Sequence, residues 1–538
     1  MRTELLLGDE AVAQGAIDAG ISGAFSYPGT PATEIFESIA LRDPTVWAQW
    51  SPNEKVAYEE ALGMSFAGQR AIISMKHVGL NVAADPFINS ALIGANGGIV
   101  LAVADDPGMH SSQNEQDSRF YADFAKVPFF EPSNQQECYD MTRSAFELSE
   151  ELHIPIVIRL VTRVSHSRAN VQMPEETNKA RRENRLPHPD WNEWTLTPAN
   201  GRVQFRKLLG KQKSFLELSQ LSPFNQLHLA GKRGIIASGI AYNYVREALG
   251  DSVDDSILKI GQYPAPVGMV RELVAHCEEV YVVEEGYPFI EQKLTGLLGL
   301  PSKAIKGKLS GFLPPDGELT PEIVAQALGT PIAVATSPVP DLVGRAPQLC
   351  KGCPHVDSFL ALVDAVVGYP NPMLFSDIGC YTLGSQPPYR AVHAVVDMGA
   401  SISMAHGAVQ AGAFPVLCTI GDSTFSHSGL SSLLGAIKSD ANMTVIILDN
   451  STTAMTGAQD SYAHGEPLLD ILKGVGVKDL HSFEPLKRNH EESVKLLRQA
   501  IDHKGLSVVV ARRACIQLKS NRPVTSEKPV CEQGKGKE

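Results

Sequence analysis

Hydrophobic runs long enough to cross a bilayer are missing from this chain. The longest, such as IPIVI at 154–158 and TVIIL at 444–448, fall far short of the ~20 apolar residues that a spanning helix needs. Basic residues are also in deficit. With 47 Lys and Arg against 60 Asp and Glu, the formal net charge is −13 and the isoelectric point lies near 5.6, which argues against nucleic acid or an anionic membrane as a partner. Cysteine is sparse as well: eight in 538 residues are too few for a disulfide framework. No low-complexity tract occurs. The N-terminal MRTELLLGDEAVAQG sets Asp9 and Glu10 directly after three leucines and shows no cleavage pattern, so no secretion signal is expected. A cytoplasmic address follows as an expectation.

What is present is an α/β pattern throughout, in a length that suggests roughly three domains. In residues 1–190, the segments AFSYPGTPATEIFES, RAIISMKH, GGIVLAVADDPG and IPIVIRLVT each read as a strand followed by a turn or helix start. They predict a mostly parallel sheet flanked by helices, with function at its carboxyl edge. A polar stretch rich in Arg, Asn and Pro follows, and 191–231 is taken as a linker or excursion. Residues 232–335 predict a compact βα domain, 336–348 a second linker, 349–518 a last domain and 519–538 a polar tail.

The strongest chemical signal lies in GDSTFSHSGLSSLLGAIKSDANMTVIILDN at 421–450. An apolar strand ends at Gly421-Asp422, a Gly/Ser turn follows, and a helix start then aims backbone N–H groups at an anion. A second apolar strand delivers Asp449 and Asn450 at its own carboxyl end. Oxygen ligands from two strand ends, together with diphosphate oxygens, suit Mg²⁺. The segment resembles the thiamine diphosphate signature, which begins GDG and ends NN; here 25 residues separate GDS from DN. Ser423 and Asp449 are the departures. An ordinary βαβ unit with acidic loop residues is the plainer alternative.

Four cysteines form a pattern of their own: Cys350-x-x-Cys353, then Cys380, then Cys515. Four thiolates are what a [4Fe-4S] cluster needs. They would also bind structural zinc, and a CxxC pair can be a redox dithiol. Cys138, Cys277, Cys418 and Cys531 look incidental, Cys418 as a buried inert thiol in a strand.

Taken together, SYPGTPATEIFE, NEKVAYEEALGMSFAGQR, ADDPGMHSSQNEQDSR, LCKGCPH, DIGCYTLG, MGASISMAHGA and GDSTFSHSG with LDNSTTAMTG resemble the thiamine-diphosphate-binding (alpha) subunits of the 2-oxoacid:ferredoxin oxidoreductase family, the indolepyruvate branch in particular. The match runs to about residue 518. It implies that 1–190 is the pyrimidine-binding domain, 232–335 a transketolase C-terminal-like domain and 349–518 the diphosphate-binding domain. The family's own motif reads GDS, which accounts for Ser423. By the same resemblance Asp422, Asn450 and Thr452 hold Mg²⁺, Gly421 and Ser423 belong to the diphosphate cradle, Met404 packs near the thiazolium, and the four cysteines hold the cluster nearest the cofactor.

Glu54 is implied as the carboxylate that hydrogen-bonds the aminopyrimidine and so assists removal of the thiazolium C2 proton. An isolated glutamate there would read as a solvated helix-start residue stabilised by the macrodipole. Thr30 matches a position that contacts the substrate carboxylate. The arginine that family members use for that carboxylate has no counterpart near ADDPGMHSS, which leaves His77, Lys76, Arg163 and His166 as candidate cations. His355 and His427 are candidates for the cofactor side, and all of these can equally be structural.

The implied reaction is oxidative decarboxylation of an aryl 2-oxoacid, of indolepyruvate or phenylpyruvate type, to the acyl-CoA. Coenzyme A is the co-substrate, and electrons leave through the cluster to ferredoxin or another acceptor. A smaller beta subunit is the implied partner, in a heterodimer or a dimer of heterodimers. After KSNRPVTSEKPVCEQGKGKE only Cys531 is present, so the family's C-terminal two-cluster ferredoxin-like domain is expected to be lacking. A non-oxidative thiamine diphosphate decarboxylase or carboligase is the alternative enzyme, and a non-catalytic partner subunit the alternative from another class.

Overall fold

Parallel strands buried on both faces must be apolar along their whole length, because helices cover each side of the sheet. The runs AIISMK, IVLAVAD and IVIRLV follow this apart from Ser74, Lys76, Asp105 and Arg159, and form the strands Ala71–Lys76, Ile99–Asp105 and Ile156–Val161, every residue of each buried. In the computed structural model, which describes residues 1–175, 194–250, 254–296, 304–330 and 347–519, the chain divides into two compact units, Met1–Pro340 and Asp341–Glu538.

The first unit carries two main sheets. The larger has seven strands in the order Gln262–Tyr263, Phe129–Phe130, Ile156–Val161, Ile99–Asp105, Ala71–Lys76, Gly23–Ser26 and Trp47–Trp50. All its pairings are parallel except the short edge strand Gln262–Tyr263. The smaller has five strands, ordered Ala304–Lys306, Glu279–Val283, Arg233–Ser238, Ser256–Ile260 and Gln226–His228, the last antiparallel. The second unit is built on one parallel five-stranded sheet, ordered Met373–Ser376, Val416–Gly421, Thr444–Asp449, Ser507–Arg512 and Asp479–Phe483. The α/β class with mostly parallel sheets is therefore observed, and among the described residues no helix is long and apolar enough to cross a membrane.

One expectation is corrected. The segment 191–231 is not a linker where it is described: it contains the 23-residue helix Pro198–Gln220 and the strand Gln226–His228. Thr197 caps the helix through a bond from Asn200 N, Pro198 takes the first turn, and Leu208 and Phe215 are buried. Its polar, Pro-containing composition hid a helix whose apolar positions are few but seven apart. Residues 176–193, 331–346 and 520–538, with most of the second linker, the polar tail and Cys531, lie outside the described residues.

A buried ionic network joins the two main sheets of the first unit. Arg119 and Arg159 are almost fully enclosed. Arg119 reaches Asp117 (Nε–Oδ1 2.9 Å) and Glu284 (2.8 Å), and donates to the carbonyls of Glu285 and Tyr287, each at 2.9 Å. Arg159 reaches Asp105 (2.8 Å) and Glu131 (2.6 Å), and Glu131 also accepts from Tyr263 Oη at 2.7 Å. Asp105, Asp117 and Glu131 belong to the seven-stranded part, while Glu284 follows a strand of the five-stranded sheet. Removing one partner leaves buried charge uncompensated, which typically costs about 3–5 kcal/mol. R119A is therefore expected to lower the unfolding free energy of the first unit by an amount in that range, read in urea titrations as a lower midpoint at an unchanged slope.

Candidate functional site

In the second unit the strand Val416–Gly421 is buried along its length and passes directly into helix at Asp422, without the expected Gly/Ser turn. The helix widens into a π-turn over Phe425–Gly429 before continuing as Leu430–Lys438, a deformation frequent at functional sites. Gly421 is needed for close approach, since a Cβ there would lie 2.7 Å from the Tyr381 ring.

Three oxygen-bearing groups converge at this strand end. One terminal atom of the Asn450 amide lies 2.8 Å from the Thr452 carbonyl oxygen and 3.2 Å from Asp422 Oδ1. As a nitrogen it donates to both; as an oxygen it accepts from Thr452 N at 3.3 Å and stands with the other two oxygens as a set of acceptors that a cation would bridge. Asp422 Oδ2 is buried with no hydrogen-bond partner. Burial, followed by the nearby Asp449 charge, pushes the Asp422 carboxyl up to about 8, a penalty that a bound cation reverses. Hard oxygen donors of this kind fit Mg²⁺. The Thr452 carbonyl oxygen is the one nearest the Asn450 amide, while its hydroxyl donates to the Gln459 carbonyl at 2.8 Å.

The remaining residues of the motif brace the cradle. Ser423 Oγ accepts from Thr453 Oγ1 at 2.8 Å. Asp449 takes a bond from Gly465 N at 2.8 Å and another from Ser451 N at 3.2 Å, so the aspartate at this departure from NN closes the loop beyond the strand. Met404 is half-buried on the helix Ala400–Gln410, whose start is tied to Asp377 by bonds from Gly399 N (2.5 Å) and Ser401 N (3.0 Å). His427 Nδ1 lies 2.6 Å from Ser428 Oγ.

The four patterned cysteines gather beside this cradle. Burial, then Cys353, Cys515 and Cys350 in that order, push the Cys380 thiol up to about 11, and burial with Cys515 and Cys350 raises Cys353. Among the described residues no three of the sulfurs lie within 4.8 Å of one another. Cys515 N donates to the Asn450 carbonyl at 3.0 Å. Tyr381, next to Cys380, donates to Thr424 Oγ1 at 3.0 Å. His355 is buried with neither ring nitrogen partnered, its ring edge-on to Tyr381 at 5.8 Å; burial lowers its pKa to about 4 and keeps it neutral.

In the first unit Glu54 opens the helix Glu54–Phe66 and is buried, with Asn53 capping the helix through a bond from Val56 N at 2.9 Å. Its carboxylate lies against Gly79, where a Cβ would come within 2.6 Å of Glu54 Oε1. Sequence reasoning missed Gly79; a glycine two residues into an otherwise apolar helix start was the available signal. Lys76 is buried, and its ammonium donates to the Ser111 carbonyl (3.1 Å) and hydroxyl (3.2 Å) rather than to a carboxylate. Ser111 Oγ in turn donates to the Thr30 carbonyl at 3.4 Å. Desolvation, partly offset by Asp106, brings Lys76 down to about 8. His77 follows it, with Nε2 on the Asn114 carbonyl at 3.2 Å and Nδ1 buried without a partner; desolvation lowers its pKa. Arg163 is held by both Glu318 oxygens (2.8 and 2.6 Å), and His166 faces Glu34 at 3.4 Å. Of the four candidate cations, Lys76 stands beside Thr30.

A buried carboxylate beside an acceptor cluster at a strand end, in a parallel sheet, is compatible with a diphosphate-and-metal site, and the class of the domain, a thiamine diphosphate enzyme, comes from the family match. Residues 377–511 match "Thiamine pyrophosphate enzyme, C-terminal TPP binding domain", and residues 14–207 match "Pyruvate flavodoxin/ferredoxin oxidoreductase, thiamine diP-bdg". The chain is 38% identical to indolepyruvate oxidoreductase subunit IorA of Archaeoglobus fulgidus over 95% of its own length and 86% of the relative's, and 38% identical to the Methanothermobacter marburgensis protein of the same name over 98% and 90%. It belongs to the indolepyruvate oxidoreductase subunit IorA family. A 2-oxoglutarate:ferredoxin oxidoreductase of Magnetococcus marinus, solved with 2-oxoglutarate, coenzyme A and succinyl-CoA bound, shares the fold at a TM-score of 0.50 and 18% identity, over 61% of this chain and 65% of that one.

Asp422 stays neutral to about pH 8 in the fold but ionises near about 3.9 when unfolded. Unfolding of the metal-free protein therefore releases a proton between those values. The stability that the neutral form contributes is complete below about pH 4 and is lost as the pH rises through 8. Urea midpoints across that window should fall more for the wild type than for D422N. G79A is expected to leave the thermal midpoint near wild type, because the clashing atoms end a flexible side chain, while displacing the Glu54 carboxylate and lowering turnover about a hundredfold or more.

Proposed function

We propose that this chain is the catalytic subunit of a cytoplasmic enzyme that oxidatively decarboxylates an aryl 2-oxoacid, of indolepyruvate or phenylpyruvate type, to the acyl-CoA. It would use thiamine diphosphate, Mg²⁺ and a [4Fe-4S] cluster, work with a beta subunit in a heterodimer or a dimer of heterodimers, and pass electrons to ferredoxin or another acceptor. The name of the relatives, indolepyruvate oxidoreductase subunit IorA, supports the substrate and the existence of a partner subunit, and the coenzyme A in the fold neighbour supports the acyl acceptor.

The observation that carries the proposal is the 3.0 Å bond from Cys515 N to the Asn450 carbonyl. It makes the thiol quartet and the oxygen cradle two sides of one strand-end loop, which is what electron transfer from a diphosphate-bound cofactor to a cluster requires. When bound, the cofactor supplies a carbanion that adds to the 2-oxo carbon and takes up the electron pair released with CO₂.

The chain's own residues divide the remaining work. Asp422, the Asn450 amide oxygen and the Thr452 carbonyl hold the metal; Gly421 and Ser423 shape the cradle, and Met404 and His355 line the cofactor side. Glu54 exchanges a proton with the aminopyrimidine. Lys76 and Thr30 bind the substrate carboxylate, a buried ammonium without a carboxylate partner being suited to an anionic ligand. His77, neutral through burial, is a hydrogen-bonding group for the same substrate. Cys350, Cys353, Cys380 and Cys515 ligate the cluster, four thiolates being what it needs.

The test is anaerobic purification with the partner subunit, iron and sulfide analysis, and assay with indolepyruvate and coenzyme A. About four irons and four sulfides per cluster site, with substrate-dependent cluster reduction and acyl-CoA formation, are expected. K76Q should raise KM for the 2-oxoacid about tenfold or more, the loss of a charged hydrogen bond, with the iron content unchanged. Aldehyde formed without cluster reduction, or zinc in place of iron, would overturn the oxidative reading in favour of non-oxidative decarboxylation.

A further inference from the structure

A second group of potential ligands lies in the first unit, outside the residues given roles above. Asp9 is the second residue of the helix Gly8–Asp18, Glu34 the second of Thr33–Arg42, and His166 the last of Thr162–His166. One ligand atom from each lies within 4.8 Å of the other two. Asp9 is fully buried, and neither of its carboxylate oxygens has a hydrogen-bond partner. Glu34 Oε2 and the buried Ser165 hydroxyl are also without one.

No Lys or Arg among the described residues pairs with Asp9 or Glu34; the His166 ring, 3.4 Å from Glu34, is the nearest positive candidate. The close packing is built in. A Cβ at Gly8 would lie 2.2 Å from the Val164 carbonyl, so glycine lets the start of the first helix press against Val164–Ser165 and brings Asp9 to the group. The positive helix ends favour ionised carboxylates at these positions, yet their amides do not reach the Asp9 oxygens.

We propose that Asp9, Glu34 and His166 bind a divalent transition ion of the zinc class, which ties the start of the helix after the Gly29–Thr33 turn to the exit of the strand Ile156–Val161. One imidazole and two carboxylates select such an ion over Mg²⁺ or Ca²⁺, which prefer all-oxygen sites. Three protein ligands leave a fourth position for water on the side where His166 is partly exposed. A proton shared between the carboxylates is the competing way to neutralise the group. The Ser165 hydroxyl, near enough to favour the ionised Asp9 carboxylate, could donate to the remaining oxygen in that case, and the zinc count separates the two. Burial and the Glu34 charge already push the Asp9 carboxyl well above the usual range, the state expected of a ligand deprived of its ion.

The experiment uses the iron-loaded complex, purified anaerobically so that the cysteines are occupied, equilibrated with zinc and passed through a desalting column. Zinc, iron and magnesium are then counted per chain in the wild type, D9N and H166Q. One zinc per chain in the wild type, lost in both variants while iron and magnesium stay constant, is the expected result. Zinc contents that are equal in all three, or absent from the wild type, would overturn the proposal. If D9N fails to fold, H166Q alone decides, since its side chain sits at the surface of the group. The zinc count is read without any assay of turnover, so its outcome stands apart from that of the proposed reaction.

Discussion

Burying charge is the constraint on which this architecture depends. Parallel sheets covered on both faces offer water to polar groups only at their strand ends, and even those ends are largely enclosed here. Each enclosed charge must find a partner or shift its protonation. Asp105, Asp117, Glu131 and Glu284 find Arg119 and Arg159, and the result joins two sheets. Asp422, Asp9 and Lys76 form no ion pair of that kind, and each stands where an ion or a charged ligand would resolve the imbalance. The same physics thus separates residues that hold the fold together from residues that await a ligand.

The second unit shows how closely the oxygen cradle and the four cysteines are coupled in the covalent chain. The strand Thr444–Asp449 ends one residue before Asn450, and its neighbour Ser507–Arg512 ends three residues before Cys515. Their parallel pairing, Asp449 opposite Arg512, brings an oxygen ligand and a thiol to the same edge. Tyr381 does the same from the other side, placing Cys380 next to the helix that starts at Asp422. Sheet register, not loop length, sets the spacing between the cradle and the thiols.

Much of this was legible in the linear chain. The all-apolar strands, the GDS and DN strand ends and the Cys350, Cys353, Cys380, Cys515 pattern are local or composition-level signals, and the structure brings the members of each set together. Other features were not legible. The helix Pro198–Gln220 has only a few buried positions in a polar segment. The partners of Arg159 lie 28 and 54 residues away, beyond the reach of any local pattern. Arg163 and His166 were candidate cations that could equally be structural, and they are engaged by Glu318 and Glu34, contacts that span as many as 155 residues in the chain. Thr452 was expected at the metal; its carbonyl faces the Asn450 amide while its hydroxyl bonds the Gln459 carbonyl.

The sequence by itself determined the class of fold, the strand ends that carry oxygen ligands and the set of cysteines, because hydrophobic periodicity and motif spacing act over a few residues at a time. Tertiary structure alone decided which charges are neutralised and which stay uncompensated. It also selected Lys76 over three other cations to stand beside Thr30, and used Gly79 to seat Glu54 and Gly8 to press Asp9 against a distant helix. Those outcomes depend on desolvation and on approaches of a few ångströms between residues far apart in the chain, and neither is encoded in any local stretch of it.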